Sequence, residues 1–263
     1  MINSVLKAID IINLFSPQEP RLTLAEISRR LELPKSTAHN LLNTLLSRGF
    51  IEKAGNDHYA LGTAIITLTQ AVRVNVELRD RAAPLLRELA DASRASVYLI
   101  AFDGHHGVYI YAIESPRRLL ARTAVGDPVS FHCTSVGKAI LACLADKEVK
   151  SIMKQTGLPA STKATITTLD RLLKDLEETR SRGYALDIEE HEQGTYCIGA
   201  PIFNERGCVI GACSISEADP EIVRGRLPEL SSRVMHTAQE ISRRMGYVPS
   251  TPSRVTAPLK MGS

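Results

Sequence analysis

Residues 23–49 read TLAEISRRLELPKSTAHNLLNTLLSRG, and this stretch decides the fold of the N-terminal part of the chain. It opens on a capping box, because Thr23 is followed three residues later by Glu26 at the start of an apolar-periodic run. After a short turn, Pro34 suits the first position of a second helix and Gly49 suits its end. Two capped helices joined by a short turn predict a helix-turn-helix.

The flanking segments complete a winged version of this motif. Apolar residues recur at helical spacing over 4–15, and Asn3 or Ser4 can cap that helix. The prolines within 16–20 then end it. Downstream, 50–62 read FIEKAGNDHYALG, two β-prone arms around a turn cluster. We therefore predict a winged helix-turn-helix domain over residues 1–62.

Such a motif reads DNA with the N-terminal residues of its second helix, which face base edges in the major groove. His39 and Asn40 suit base edges, since an asparagine amide pairs with adenine, and the polar residues before them suit phosphates. The candidate DNA contacts are Lys35, Ser36, Thr37, His39, Asn40, Thr44 and Lys53. Lys53 lies on the wing, where His58 can contact a phosphate with it. Residues 1–62 hold seven lysines and arginines against six acidic residues, so phosphate neutralisation by one copy is modest. A protein-binding module with the same shape stays open as an alternative.

The sequence pattern changes from helical to strand-like near Ala95. Residues 63–94 keep helical spacing, with Pro84 expected near the start of a second helix. The predicted strands are 96–103, 107–114, 118–124, 195–203 and 208–216. The predicted helices are 135–154, 168–182 and 221–246. Strands flanked by helices predict an α+β domain around an antiparallel sheet.

Several polar and small residues of this second domain predict a cavity. Strand side chains alternate, so Ser214 and Ser216 share one face with Ala212. Cys197 and Gly199 share a face on the neighbouring strand, where small side chains leave room. The sequence Ser135-Val136-Gly137 opens a helix, whose free N–H groups suit a carboxylate. The polar segment 187–194 can lie over such a cavity.

Composition narrows the classes of protein further. The chain has 263 residues, a net charge of +3 and five cysteines without a CxxC pair, which favours about two domains and free thiols. We expect a cytoplasmic protein without a membrane span or signal peptide. His132, Cys133, His191 and Cys197 lack zinc-site spacing, and we expect no metal and no cofactor. Without a nucleophile elbow or phosphate loop we expect no enzyme, although an enzyme with an appended DNA-binding domain is the competing hypothesis.

The chain resembles the IclR family of bacterial transcriptional regulators over about residues 3–247. The resemblance is carried by SVLKAIDIINLF, LTLAEISRRLELPKSTAHNLLNTLLSRGFIE and YALG in the first domain. In the second domain it is carried by FHCTSVGKAILA, Thr165-Ile166-Thr167, RGYALDIEEHEQGTYCIGAPIFNERG and VIGACSIS. The order and spacing of these fragments together are specific. Asn40 stands where the family often has arginine, so operator preference is expected to differ.

The resemblance implies a GAF-like effector-binding domain over 80–249, a linker helix over 63–79, and dimers that pair into tetramers. We expect the tail 250–263 to be disordered. Glyoxylate-responsive relatives imply the effector contacts Ser135, Val136, Asp187, Cys197, Ser214 and Ser216. Ser135 and Val136 replace a smaller glycine and alanine of those relatives, so the resemblance does not identify the ligand. The expected function is a ligand-responsive regulator that binds a roughly palindromic operator, senses a small carboxylic or aromatic acid, and represses rather than activates.

Overall fold

The predicted helix-turn-helix is present in the computed structural model, which describes residues 2–16, 19–55, 57–71, 73–115 and 125–248. Helix α2 (Leu24–Arg30) begins at the capping box, where the backbone N–H of Thr23 donates to Glu26 Oε2 over 2.8 Å and Glu26 N–H donates back to Thr23 Oγ1. Helix α3 (Lys35–Ser47) follows, with Pro34 as its N-cap rather than its first helical residue. Gly49, at φ +71°, turns the chain away from α3 in the left-handed region that glycine tolerates.

The first helix differs slightly from its prediction. Helix α1 (Asn3–Asn13) begins after an extended Ile2 and has no side-chain cap, so the predicted cap by Asn3 or Ser4 is wrong. Both residues lie inside the first turn, where their side chains are exposed to water. The helix ends two residues before Phe15. Its only fully buried side chain, Ile11, joins a small core with Ile27 and Leu42.

The wing is a three-stranded antiparallel sheet. Its strands are β1 (Leu22–Thr23), β2 (Ile51–Lys53) and β3 (His58–Leu61), in the order β1-β3-β2. The pairing of Leu22 with Tyr59 ties the hairpin to the segment that enters α2. The two-residue strand β1 was not predicted, because it is too short to show an alternating pattern.

Two helices follow, α4 (Ala64–Ala71) and α5 (Arg73–Ser93). The prediction that a helix starts near Pro84 is wrong, because Pro84 lies inside α5. Pro84 is exposed, and without an N–H it cannot donate to the carbonyl four residues earlier. Leu78 and Leu86 are fully buried on either side of the proline, and their burial offsets its local cost.

The chain divides into two compact units that meet between Val76 and Glu77. The second unit contains an antiparallel sheet of five strands in the order β5-β4-β8-β7-β6. The strands are β4 (Ser96–Phe102), β5 (Gly107–Ile113), β6 (Ala185–Ile188), β7 (Tyr196–Phe203) and β8 (Val209–Glu217). Strand β6 was missed by sequence analysis, whereas the other four lie within one residue of their predicted bounds.

Two of the helices predicted for this unit are each divided in the structure, although the helical sequence pattern continues across the break. The predicted helix 135–154 is two helices, α6 (Ser135–Ala142) and α7 (Asp146–Thr156), because Ala145 is extended and its N–H donates to Glu148 Oε2 over 3.0 Å. Helix α8 (Leu169–Arg182) begins one residue later than predicted. The predicted helix 221–246 is a 3-10 turn (Pro220–Val223) followed by α9 (Leu227–Arg244).

Strand alternation separates two apolar cores, one on each face of the sheet. One face packs against α5 and α9 through residues such as Leu99, Cys213 and Ile215. The other face packs against α6, α7 and α8, with Ile100 and Ala212 in that core. This architecture confirms the α+β fold, and it places the odd-numbered and even-numbered side chains of β8 on opposite faces. The predicted strand 118–124 and the tail 250–263 lie outside the described residues.

Candidate DNA-reading face and effector cavity

The exposed side of α3 carries most of the predicted DNA contacts. Ala38, Leu42 and Leu45 point into the core and so fix which side of the helix faces solvent. Thr37 is half-buried. The remaining candidates on this helix are all exposed: Lys35, Ser36, His39, Asn40 and Thr44.

One residue of this face was missed by sequence analysis. Asn43 is exposed and its Nδ2 lies 3.3 Å from Nδ1 of His39, one turn away. The four-residue spacing between the two could have indicated the pair. Thr44 is a weaker candidate than predicted, because its hydroxyl donates to the carbonyl of Asn40 over 2.9 Å. Asn43 therefore joins His39 and Asn40 as a group that can reach base edges.

A cleft of about 810 Å³ separates the start of α3 from the wing. Lys35 and His39 line it from α3, and the predicted wing contacts Lys53 and His58 line it from the hairpin. Asp57 also lines the cleft, which limits its positive charge. The fold thus brings the helix and wing contacts, distant in sequence, to one concave surface.

The register of the sheet assembles the second candidate site. Asp187 on β6 pairs with Cys197 on β7, and Cys197 pairs with Ser216 on β8. Ser214 lies opposite Tyr98 of β4 and Gly199 of β7. Pleated strands point paired residues to the same face. These side chains therefore form a polar row across four strands.

Gly199 allows the start of α6 to rest on this row. A Cβ atom at Gly199 would lie 2.7 Å from the carbonyl carbon and oxygen of Ser135, closer than packed atoms approach. Thr134 caps α6, its Oγ1 accepting from the N–H of Gly137 over 3.1 Å. The helix N-terminus at Ser135 and Val136 therefore abuts the sheet.

A cavity of about 30 Å³ lies where α6 meets the sheet, and all six predicted effector contacts line it: Ser135, Val136, Asp187, Cys197, Ser214 and Ser216. His191 and Glu192 also line the cavity and belong to the segment 187–194 that was expected to lie over it, whereas sequence analysis missed the lining residues Tyr98, Tyr109, Thr134 and Thr195. Tyr98 had a usable signal, because strand alternation places it on the same face as Ile100 and Phe102. Tyr109 had none, because its facing depends on a register shift between β4 and β5.

The two tyrosines form an aromatic wall. Their rings are T-shaped, with centroids 5.9 Å apart. The Tyr98 hydroxyl donates to Oε1 of Glu114 over 2.8 Å. Burial raises the pKa of Tyr109 above its ordinary value, so this phenol stays neutral.

Asp187 is the acidic group of the cavity and is 2% exposed. Its Oδ1 accepts from the backbone N–H groups of Glu190 and His191, over 2.8 and 3.4 Å. Burial raises the pKa of Asp187 to about 7, and the Glu190 carboxylate adds to the rise, against lowering by the two hydrogen bonds and by Lys138. The protonated carboxyl is thus well populated near neutral pH.

Lys138 of α6 is completely buried and carries a charge network that sequence analysis missed. Its Nζ lies 2.5 Å from Oε1 of Glu190 and 3.3 Å from Oδ2 of Asp175. Burial raises the pKa of Glu190, while Lys138 lowers it. A lysine within the apolar run Val136–Ala142 was the signal for it, because a buried lysine requires a partner.

The candidate metal ligands are only partly brought together. Sγ of Cys133 lies 3.7 Å from Nδ1 of His191, whereas Nε2 of His132 lies 3.0 Å from the carbonyl of Pro159. Within the described ranges, no three His, Cys, Asp or Glu side chains are grouped as ligands of one ion. In the same ranges, no helix has the length and apolar character to cross a bilayer.

Comparison with known proteins gives the same assignment over both units. Residues 4–55 match the IclR helix-turn-helix domain, and residues 70–243 match the family described as bacterial transcriptional regulator IclR C-terminal. The HTH-type transcriptional regulator XynR of Escherichia coli is 32% identical over 248 residues, covering 94% of this chain and 98% of the relative. The transcriptional repressor IclR of the same species is 29% identical, covering 93% of this chain and 90% of the relative.

A solved structure shows the same fold. The IclR homologue of Microbacterium hydrocarbonoxydans, crystallised with 4-hydroxybenzoate, superposes with a TM-score of 0.81 at 20% identity, covering 92% of this chain and 98% of the other. The curated relatives are HTH-type regulators, which confirms the expectation of a DNA-binding regulator rather than an enzyme. The chain belongs to the IclR family of bacterial transcriptional regulators.

Proposed function

We propose that the chain is a cytoplasmic, ligand-responsive repressor that senses a small organic acid in its second domain. The observation that carries this proposal is the cavity between α6 and the sheet, lined by a helix N-terminus, two serines and a buried carboxyl. Its domains are the winged helix-turn-helix of 1–62, a linker over 63–79 that comprises α4 and the start of α5 rather than one helix, and a GAF-like effector domain over 80–249. The boundary between compact units after Val76 supports this division.

The cavity chemistry favours an acid. The first N–H groups of a helix have no partner within the helix, and those of α6 begin at Ser135 and Val136. Together with the positive end of the helix dipole they suit a carboxylate. The Ser214 and Ser216 hydroxyls can donate to the same ligand. Asp187 tolerates an anion when it is protonated, and in that form it donates a hydrogen bond rather than repelling.

The aromatic wall extends the ligand class to aromatic acids. Tyr98 and Tyr109 offer ring surface on one side of the cavity. The Microbacterium homologue was crystallised with 4-hydroxybenzoate, which is a small aromatic acid. This fits a planar acid whose carboxylate meets α6 and whose ring lies against the tyrosines.

DNA recognition is proposed for a homodimer or homotetramer on a roughly palindromic operator. Dimeric helix-turn-helix proteins place two recognition helices in successive major grooves, which matches two-fold symmetric sites. The net charge of only +1 over residues 1–62 favours two copies, because each neutralises few phosphates. Repression is proposed because the Escherichia coli relative at 29% identity is a repressor.

We expect the exposed face of α3 to control operator preference. His39→Ala and Asn40→Ala should each cost about 1–3 kcal/mol on a DNA site selected with the parent chain, and should relax the preference at the contacted base. Lys35→Ala should weaken binding to all DNA sequences alike and should lower the slope of log affinity against log salt concentration by about one. Fluorescence anisotropy titrations over a range of salt concentrations measure both effects.

Ser47→Ala is the matched control, because Ser47 is exposed on the same helix at its opposite end. Binding unchanged in all three test variants would exclude α3 as the reading helix.

We expect Ser216→Ala to weaken effector binding without changing operator affinity in the absence of effector. Removing one neutral donor should cost about 0.5–1.5 kcal/mol, and more against a charged ligand. A thermal-shift screen of small aliphatic and aromatic acids identifies the ligand, because a ligand specific to the native state raises its stability. Calorimetric titration then gives the affinity.

Ser231→Ala is the control for this variant. Ser231 is also buried, but it lies on α9 against the opposite face of the sheet. Normal ligand affinity in both Ser214→Ala and Ser216→Ala would place the effector elsewhere.

A further inference from the structure

The segment 189–194 is the wall between the buried cavity and solvent. It joins β6 to β7, and His191 and Glu192 line the cavity on one side. On the other side the same two residues line an open cleft of about 650 Å³, together with residues 160–164. Movement of this one segment would therefore connect the cavity to the cleft.

The size of the cavity requires such a movement if the cavity is the effector site, as proposed above. A volume of about 30 Å³ accommodates on the order of two water molecules. Ligand pockets are usually about 300–1,000 Å³. An organic acid therefore needs more room than the closed arrangement provides.

The ends of the segment are suited to act as hinges. Glu189 has φ +57° and Gly194 has φ +74°, so both lie in the left-handed region. Glu189 N–H donates to the carbonyl of Thr195 over 2.9 Å, which closes the base of the hairpin. Rotation at these two positions can displace the segment while the pairing of β6 with β7 stays intact.

Side chains from outside the hairpin hold the segment in place. The hydroxyls of Thr162 and Thr165 donate to the carbonyls of Glu189 and Glu190, each over 2.6 Å. The buried ammonium of Lys138 lies 2.5 Å from Oε1 of Glu190. Lys138 belongs to α6, whose first residues line the cavity, so a ligand that shifts α6 also acts on this ion pair.

We infer that residues 189–194 form a lid over the effector cavity, and that Thr162, Thr165 and Lys138 form a latch that holds it closed. The latch residues are positioning residues, because none of the three lines the cavity. Opening the lid exposes the cavity to the cleft between 160–164 and 189–193.

Cys133 reports opening without any ligand or DNA. Its thiol is buried and lies against His191 of the lid. Burial raises the pKa of this thiol to about 12, so it reacts slowly while the lid is closed. Cys213 is equally buried but lies in the core on the other face of the sheet, and reports unfolding of the whole domain.

The experiment measures the rate of iodoacetamide labelling at each cysteine of the full chain, located by peptide mass spectrometry. Thr162→Val should raise the labelling rate of Cys133 by about three- to tenfold, the effect expected from loss of its short hydrogen bond to the lid at Glu189. Glu190→Gln should raise it by about tenfold or more, because it weakens a hydrogen bond between charged groups. The labelling rate of Cys213 should stay unchanged. The controls Thr167→Val and Glu178→Gln alter exposed residues outside the latch and should leave both labelling rates unchanged.

Two outcomes would overturn the lid. If Cys133 is labelled no faster in either variant, neither Thr162 nor the Lys138–Glu190 pair holds the segment closed, and the latch is wrong. If the labelling rates of Cys133 and Cys213 rise together, the segment opens only when the domain unfolds. The labelling experiment uses no effector, so its result does not depend on the effector proposal. A wrong effector proposal would show instead as unaltered ligand affinity in Ser214→Ala and Ser216→Ala.

Discussion

Asp187→Asn is expected to be more stable than the parent chain at pH 8, by up to about 4 kcal/mol, and nearly equal to it at pH 4. The reason is the buried carboxyl, whose pKa is raised from an ordinary 3.8 to about 7, mainly by burial. Below pH 3.8 the carboxyl is protonated in both the folded and the unfolded chain. Between pH 3.8 and 7 the unfolded chain releases this proton while the folded chain keeps it, so stability falls as pH rises. A difference of one in pKa between the folded and the unfolded chain corresponds to about 1.4 kcal/mol of stability.

Asparagine retains the oxygen that accepts from the N–H groups of Glu190 and His191, and it does not titrate. Urea unfolding at a series of pH values, followed by circular dichroism, gives the difference between the two chains. Asp91→Asn is the control, because Asp91 is exposed on α5. A difference between Asp187→Asn and the parent that does not change with pH would mean that the pKa of Asp187 is the same in the folded and the unfolded chain, and so is not raised by burial.

The features that sequence analysis predicted are those with local causes. The helix-turn-helix follows from a capping box, a proline and a glycine within 27 residues of each other, and every one of these signals acts over a single turn of helix. The facing of Ser214 and Ser216 follows from strand alternation alone. For this reason five cavity residues were indicated by pattern, namely Ser135, Val136, Cys197, Ser214 and Ser216, whereas Asp187 was named as an effector contact through family resemblance.

The features that were missed depend on tertiary contacts. Strand β6 is only four residues long and is defined by its pairing with β7, so no periodicity marks it. Pro84 was read as a helix start because local rules disfavour it in a helix interior, yet buried leucines on both sides carry the helix through. The break between α6 and α7 depends on one carboxylate–backbone contact. The position of the segment 187–194 over the cavity was expected, but the contacts that hold it come from partners 25 to 52 residues away in sequence and were missed.

The charge network at Lys138 leads to the second large effect. We expect Lys138→Met to lower the free energy of unfolding by about 3–5 kcal/mol, because it leaves the Glu190 carboxylate buried without its cation. Glu190 Oε2 already has no hydrogen-bond partner among the described residues, so the remaining carboxylate has little to compensate it. Oδ2 of Asp175, 3.3 Å from the lysine, is also buried without a hydrogen-bond partner among the described residues, although 22% of the Asp175 side chain is exposed to water. Urea unfolding at pH 7.5 measures the loss.

The double variant Lys138→Met with Glu190→Leu separates charge from shape. Replacing a whole buried ion pair by apolar residues is often neutral, so the double variant should recover most of the stability that Lys138→Met loses. Lys174→Met on exposed α8 surface is the control for loss of a lysine charge alone. If the double variant is as unstable as the sum of its two single variants, the pair contributes by packing rather than by mutual neutralisation. Recovered stability with faster labelling of Cys133 is the expected combination, because the domain then folds normally while its lid has lost one of the three side chains that hold it closed.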